Sequence, residues 1–293
     1  MVSKPLSWLL PLFVVLLPAV ATLRPATASR VFDENYVPTY GADGYHLVNQ
    51  GTEVRITMDK IDGAGFGSKP SYGSGFFRMR IKVPGGYTAG VVTAFYLASE
   101  PDHDKQDEVD FEFLGNVDGK PVTLQTNVFV SGNGSREQRL GLWFDPAADF
   151  HDYKILWNPY QLVWFVDETP IRVLRNLTGS VPEYKFPGKQ MRVRASVWNG
   201  SDWATDGGRT QIDWNRAPFT AAYQEFGVDA CANTSATPCG SPDLWWNADQ
   251  YTQLSAEQQD AYENVKKTYM NYDYCTDKDR LKNGKMPVEC GYN

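Results

Sequence analysis

The chain has 293 residues, a formal net charge of −7 and 14% aromatic residues. That length allows a large single core, or a core with an appendage. An acidic chain without clustered Lys and Arg is unsuited to gripping phosphates, which argues against nucleic acid as a partner; a neutral polymer held by ring stacking suits this balance.

In chain order, the first expected element is a signal peptide at residues 1–21. Lys4 precedes an apolar run from Leu6 to Val20, and Ala19-Val20-Ala21 is a small-residue cleavage pattern. Ala26-Thr27-Ala28 would place cleavage as late as residue 28. The alternative is a membrane anchor, opposed by Pro11, Pro18 and the shortness of the run. No later segment is apolar enough to span a bilayer, so a secreted, extracellular chain with no membrane partner is expected.

From about residue 45 to 200 the sequence reads as short strands. "EVRITM" (Glu53–Met58) alternates, with Val54, Ile56 and Met58 on one side. "FRMRIKV" (Phe77–Val83) sets Phe77, Met79, Ile81 and Val83 against Arg78, Arg80 and Lys82. "VVTAFYL", "VDFEFL", "TLQTNVFV", "QRLGLWF", "YKILW", "LVWFV" and "MRVRASVW" follow, separated by Gly, Pro, Asn and Asp clusters. Period-two runs at this spacing predict an all-β antiparallel sandwich or barrel, with a main domain over residues 30–224.

Residues 225–293 read as a C-terminal extension. All four cysteines, Cys231, Cys239, Cys275 and Cys290, lie in the last quarter of the chain. Four cysteines permit three pairings, of which the local pairs Cys231–Cys239 and Cys275–Cys290 are expected in a secreted chain. Zinc is the alternative, but there is no C-x-x-C spacing and no nearby histidine. Ser255 followed by Gln258 is a capping-box signature, predicting a helix to about Met270. Asn133, Asn176, Asn199 and Asn233 open N-x-S/T sequons; Asn133, Asn176 and Asn233 are the glycosylation candidates.

The chemistry concentrates in "QDEVDFEFLG" (Gln106–Gly115). Glu108, Asp110 and Glu112 fall on one face of a strand, while Val109, Phe111 and Phe113 pack beneath. The outer pair is roughly 13 Å apart at Cα, four residues at about 3.3 Å each. Glutamates leaning together close most of that gap, and carboxyls about 5–5.5 Å apart suit a retaining glycosidase. One would be the nucleophile and the other the acid. Asp110 between them would hold the nucleophile and help keep the acid protonated. Two alternatives stand: an acidic, solvated strand face, or a calcium site in "DHDKQD" (Asp102–Asp107), which lacks an EF-hand glycine and a final Glu. No metal or cofactor is expected.

"DEVDFEFLG" resembles the active-site strand, E-x-D-x-E, of glycoside hydrolase family 16. More narrowly it resembles the plant xyloglucan endotransglucosylase/hydrolases, whose usual form is H-D-E-I-D-F-E-F-L-G. "LQTNVF", "REQRLGLWFDP", "FHDYKILW", "VDETPIRV", "VWNGSDWAT" and "YMNYDYCTD" follow in the family's order, so the similarity runs from about Phe32 to the C-terminus. The resemblance implies a concanavalin-like β-jelly-roll with an open cleft, and a C-terminal extension with two local disulfides that lengthens the acceptor side. It implies Glu108 as nucleophile, Glu112 as acid/base and Asp110 as assisting residue. Donor and acceptor would be xyloglucan, or a xyloglucan oligosaccharide as acceptor, handled by a monomer.

Gln125 and Asn127 would hydrogen-bond sugar hydroxyls, and Tyr96 would line the cleft. Arg139 matches an acceptor-side position, Trp198 and Trp203 match stacking residues for the acceptor chain, and Tyr272 and Arg280 in the extension are further binding candidates. Three departures bear on the donor side. Gln106 stands where the family has histidine, Tyr40 where it has an early tryptophan, and Asn116-Val117-Asp118 is not the family's sequon. Mixed-linkage glucan or cellulose therefore stays open as donor, as does a mainly hydrolytic activity. A glycan on Asn199, beside Trp198, would obstruct acceptor binding, so Asn199 is expected bare or outward-pointing.

Overall fold

The computed structural model describes residues 31–100, 105–283 and 286–292. The expected signal peptide and residues 102–104 of the calcium candidate lie outside these. The strands are β1 Tyr36–Tyr40, β2 Tyr45–Val48, β3 Glu53–Met58, β4 Ala64–Ser68, β5 Tyr72–Lys82, β6 Val91–Ser99, β7 Glu108–Leu114 and β8 Thr123–Phe129. They continue as β9 Gln138–Gly141, β10 His151–Trp157, β11 Gln161–Val166, β12 Thr169–Arg175, β13 Met191–Asn199, β14 Phe219–Ala232 and β15 Met270–Asp273.

Every pairing is antiparallel, and the strands form two layers. One runs β12-β11-β10-β5-β14-β3-β2. The other runs β1-β4-β13-β6-β7-β8-β9-β15. Among the described residues a single pairing, Met191 with Tyr72, joins them. Alternation explains the layering. Val54, Ile56, Phe77, Met79 and Ile81 are fully or almost fully buried from one sheet, and Val109, Phe111 and Phe113 from the other. Tyr153 of β10 meets Phe111 and Phe113 across the gap, with ring centroids 5.7 and 4.7 Å away, edge-on.

Hydrogen bonds also cross the layers. Trp164 Nε1 donates to the Asp110 carbonyl at 3.1 Å. The Tyr223 hydroxyl reaches the carbonyls of Ala94 and Ser196. Arg172, 1% exposed, donates to Thr126 and to the Arg136 carbonyl. Its guanidinium lies over Trp164, 5.0 Å from the ring centroid. β7 therefore rests on a core bonded as well as packed.

Two expectations shift. "QRLGLWF" leaves the sheet after Gly141, where Phe144 turns to stack on His151 and Trp143 lies on Tyr269. β14 crosses the boundary expected at 224/225: its residues pair with β3 and then β5 as far as Ala232, with Glu225 (φ 57°) in a bulge. The strands β1, β2, β4, β12 and β14 were not separately expected.

The last quarter is tied to both layers. Cys231–Cys239 and Cys275–Cys290 are bonded. Trp245, Trp246 and Tyr251 pack on Phe76, Leu156, Val163 and Phe165, the outer face of the first sheet. The helix spans Ala256–Thr268 with the expected capping box, Ser255 with Gln258, and buries Tyr262 and Val265. β15 then adds to β9 at the edge of the second sheet.

Phe111 is the test of this core. Phe111→Ala should lower unfolding stability by about 3–5 kcal/mol, measured by denaturant titration; a loss below about 1 kcal/mol would contradict the packing.

Candidate active site

β7 sits between β6 and β8, so its outward side chains meet fixed neighbours. Glu108 is opposite Ala98 and Phe129, Asp110 opposite Tyr96 and Asn127, and Glu112 opposite Ala94 and Gln125. All three carboxylates line one cleft of about 280 Å³. Ala94 and Ser196 leave space above the strands, and the aromatic walls are Tyr40, Tyr96 and Trp198.

Tyr40 reaches the cleft because β4 is glycine-rich. A Cβ at Gly65 would sit 2.5 Å from Tyr40 Cε1, so only glycine lets the ring lie there. The Tyr40 hydroxyl shares a hydrogen bond with Ser196.

The triplet is partly dry, and each acid is held differently. Asp110 is 4% exposed. Burial, then the charges of Glu108 and Glu112, push its carboxyl well above the ordinary range. It hydrogen-bonds Glu108, and the neutral Asp110 is the donor that this arrangement favours. Burial pushes Glu108 from 4.5 to about 7, against the hydrogen bond from Asp110. Gln106 Nε2 donates to Glu108 Oε2 at 2.8 Å. Glu112 is also raised, chiefly by burial, while Gln125 Nε2 donates to its Oε2 at 2.7 Å. Three repelling carboxylates under partial burial, two with amide donors and one sharing a proton, titrate as a coupled set.

Residues 32–216 match glycosyl hydrolases family 16, and residues 240–290 match the xyloglucan endo-transglycosylase C-terminus. The chain belongs to glycosyl hydrolases family 16. It is 53% identical over 266 residues to xyloglucan endotransglucosylase/hydrolase protein 2 of Arabidopsis thaliana, covering 89% of each chain. It is 52% identical over 263 residues to putative xyloglucan endotransglucosylase/hydrolase protein 1 of the same plant, covering 89% of this chain and 87% of that protein. The fold is that of the Bacillus licheniformis β-glucanase: TM-score 0.54 at 23% identity, over 65% of this chain and 89% of that one.

Within this family 16 fold, the expected binding residues divide. Tyr96 and Trp198 line the cleft. Trp203 lies behind, 6.0 Å from Trp198 between ring centroids, and both pack on Val92, Leu114 and Ala204. Gln125 is only 3% exposed and its amide is used at both ends, accepting from Arg139 Nε at 2.7 Å as it donates to Glu112. The Asn127 oxygen accepts from the backbone N–H groups of Val128 and Arg136. Arg139 lies over the Tyr272 ring, and Arg280 pairs with Glu137 at 3.1 Å. These residues gather at the β9–β15 edge, on the side of Glu112.

Asp107, also in the calcium candidate, accepts backbone N–H groups from Ser131, Gly188 and Lys189. It clamps two loops beside β7. No cluster of metal-ligating side chains occurs among the described residues. Asn133, Asn199 and Asn233 are exposed, whereas Asn176 donates its amide to the Pro159 carbonyl. Asn199 alternates away from Trp198 on β13, on the side opposite the cleft.

Gln106 and Ser196 were absent from the expected site. Gln106 was visible as a departure from the family motif but carried no signal of contact with Glu108. Ser196 gives no sign in sequence beyond lying two residues before Trp198.

A folded-state pKa above the ordinary value means the native protein binds more protons than the unfolded chain between about pH 4.5 and 7. Stability from this group falls as pH rises through that window. Glu108→Gln should therefore stabilise the fold at pH 8, on the order of 1–3 kcal/mol, and show little difference at pH 4. Thermal melts of both proteins at the two pH values check this; an equal shift at both would refute the assignment.

Proposed function

We propose that the protein is a retaining xyloglucan endotransglucosylase, secreted to the plant cell wall, where it cuts and rejoins glucan chains. The observation that carries the mechanism is that Glu108 and Glu112 open into one cleft from one strand, with Asp110 between them. Family membership and the high identity to xyloglucan endotransglucosylase/hydrolases support the substrate class.

In this reading the coupled set holds its protons on Asp110 and Glu112, so that the ionised Glu108 attacks the anomeric carbon of a β-1,4-glucan while Glu112 delivers its proton to the leaving oxygen. Gln106 and neutral Asp110 each donate a hydrogen bond to Glu108, keeping its attacking oxygen oriented. The glycosyl ester on Glu108 then waits for an acceptor. Glu112, now a base, takes the proton from an acceptor hydroxyl, and the sugar moves to the new chain. If water enters instead, the outcome is hydrolysis. Tyr96 and Trp198 offer faces for sugar rings through apolar area.

A donor–acceptor matrix tests this reading: xyloglucan, mixed-linkage glucan and cellulose, each with labelled xyloglucan oligosaccharide. Label is expected to move into xyloglucan polymer, and Glu108→Ala is expected to lower turnover about 10⁴-fold or more. Depolymerisation without incorporation would make the protein a hydrolytic endo-β-glucanase. Preferred transfer from mixed-linkage glucan or cellulose would make it a hetero-transglucosylase.

A further inference from the structure

A row of side chains leads from Glu112 to the C-terminal extension. Glu112, Gln125, Arg139 and Tyr272 are directly opposite one another on the adjacent strands β7, β8, β9 and β15. Sheet register sets their contacts. Arg139 Nε donates to Gln125 Oε1 at 2.7 Å, and Gln125 Nε2 donates to Glu112 Oε2 at 2.7 Å. The Arg139 guanidinium sits 5.3 Å from the Tyr272 ring centroid, and the Tyr272 hydroxyl donates to Asp277 Oδ2 at 2.9 Å.

A guanidinium can only donate, so it compels the Gln125 oxygen to face it and the NH₂ to face Glu112. Without the cation, the amide is free to turn its oxygen to Glu112, which would favour the protonated acid. Gln125 and Arg139 together therefore decide which form of Glu112 is hydrogen-bonded. Gln125 is too buried, and too fully committed at both ends, for a simple sugar contact.

We propose that Arg139 is a positioning residue for Glu112, acting through the Gln125 amide, and that the extension enters catalysis by holding Arg139 against Tyr272. The proposal rests on the reading of Glu112 as acid/base. A proton donor to the leaving oxygen must recover as a base within the same turnover, so an N–H aimed permanently at its carboxylate stabilises the form produced in the first step. The other charged or titratable groups around Glu112 are Glu108 and Asp110 on β7, Tyr96 on β6, Glu137 ahead of β9, and Asp277 and Arg280 in the extension. Arg280 offsets Glu137 directly, leaving Arg139 as the cation bonded towards Glu112.

The test compares the full-length protein with Arg139→Met, Tyr272→Phe, Tyr272→Ala and Glu112→Ala. Each is assayed on xyloglucan and on a xyloglucan oligosaccharide carrying an activated nitrophenyl leaving group, which needs little protonation. Arg139→Met should lower kcat on xyloglucan about 10- to 100-fold, part of the roughly 10²–10⁴ a general acid supplies. Its basic pH limb should move to higher pH, and first-turnover release of the nitrophenol should stay within about threefold of the parent. Tyr272→Ala should shift the limb in the same direction, and Tyr272→Phe, which keeps the ring, should not. A raised acceptor KM with an unmoved pH profile would overturn the proposal and leave Arg139 as a sugar contact. Equal losses on both substrates would overturn it as well. Glu112→Ala is the separate control: if it spares xyloglucan turnover, the acid/base reading itself fails.

Discussion

A strand that turns Glu108, Asp110 and Glu112 to one side must turn Val109, Phe111 and Phe113 to the other, and this coupling organises the molecule. Three acids in a half-dry cleft would repel one another and lose solvation if all were ionised, so the strand would not stay in place on local preference alone. The core beneath supplies the restraint: Phe95 stacks on Phe111, Tyr153 meets both Phe111 and Phe113, and Trp164 bonds the Asp110 carbonyl. Burial lifts the acids' proton affinities above the ordinary carboxylate range, as the acid/base role proposed for Glu112 calls for.

The neighbouring strands refine this. Each outer glutamate has an amide donor, Gln106 for Glu108 and Gln125 for Glu112, while Asp110 between them is the group most deprived of water. Gln106 stands where a histidine is usual in the family motif. An amide donates without titrating, so the field on Glu108 from that position does not change between pH 5 and 8 as an imidazole's would. On the far side, Tyr40 and the glycine at 65 shape the cleft wall together, since a larger residue at 65 would displace the ring.

Much of this was legible before any coordinates. Period-two alternation located β3, β5, β6, β7, β8, β10 and β13 because each has a core face and a largely polar or cleft face, while β11, buried on both faces, read as a short apolar run. The capping box at Ser255 and Gln258 located the helix start through purely local chemistry. What failed to show depends on long-range partners. β4 is "AGFGS", with no β-propensity to announce it, and exists because β1 and β13 flank it. β14 crosses the expected boundary because β3 and β5 continue to pair with it beyond the bulge at Glu225. In the site, the acids were read from their spacing. That Gln125 and Arg139 bond to each other and to Glu112 depends on the register of β7, β8 and β9, which residues far apart in sequence do not reveal.

The central claim is that the carboxylate of Glu108 becomes covalently bonded to sugar. Incubating the protein with a 2-deoxy-2-fluoro glycoside of a xyloglucan oligosaccharide, then sequencing the proteolytic peptides by mass spectrometry, reads this directly. The account requires one oligosaccharide adduct on the peptide containing "QDEVDFEFLG", localised to Glu108. An adduct on Glu112, or inactivation without any covalent sugar on this strand, would contradict it.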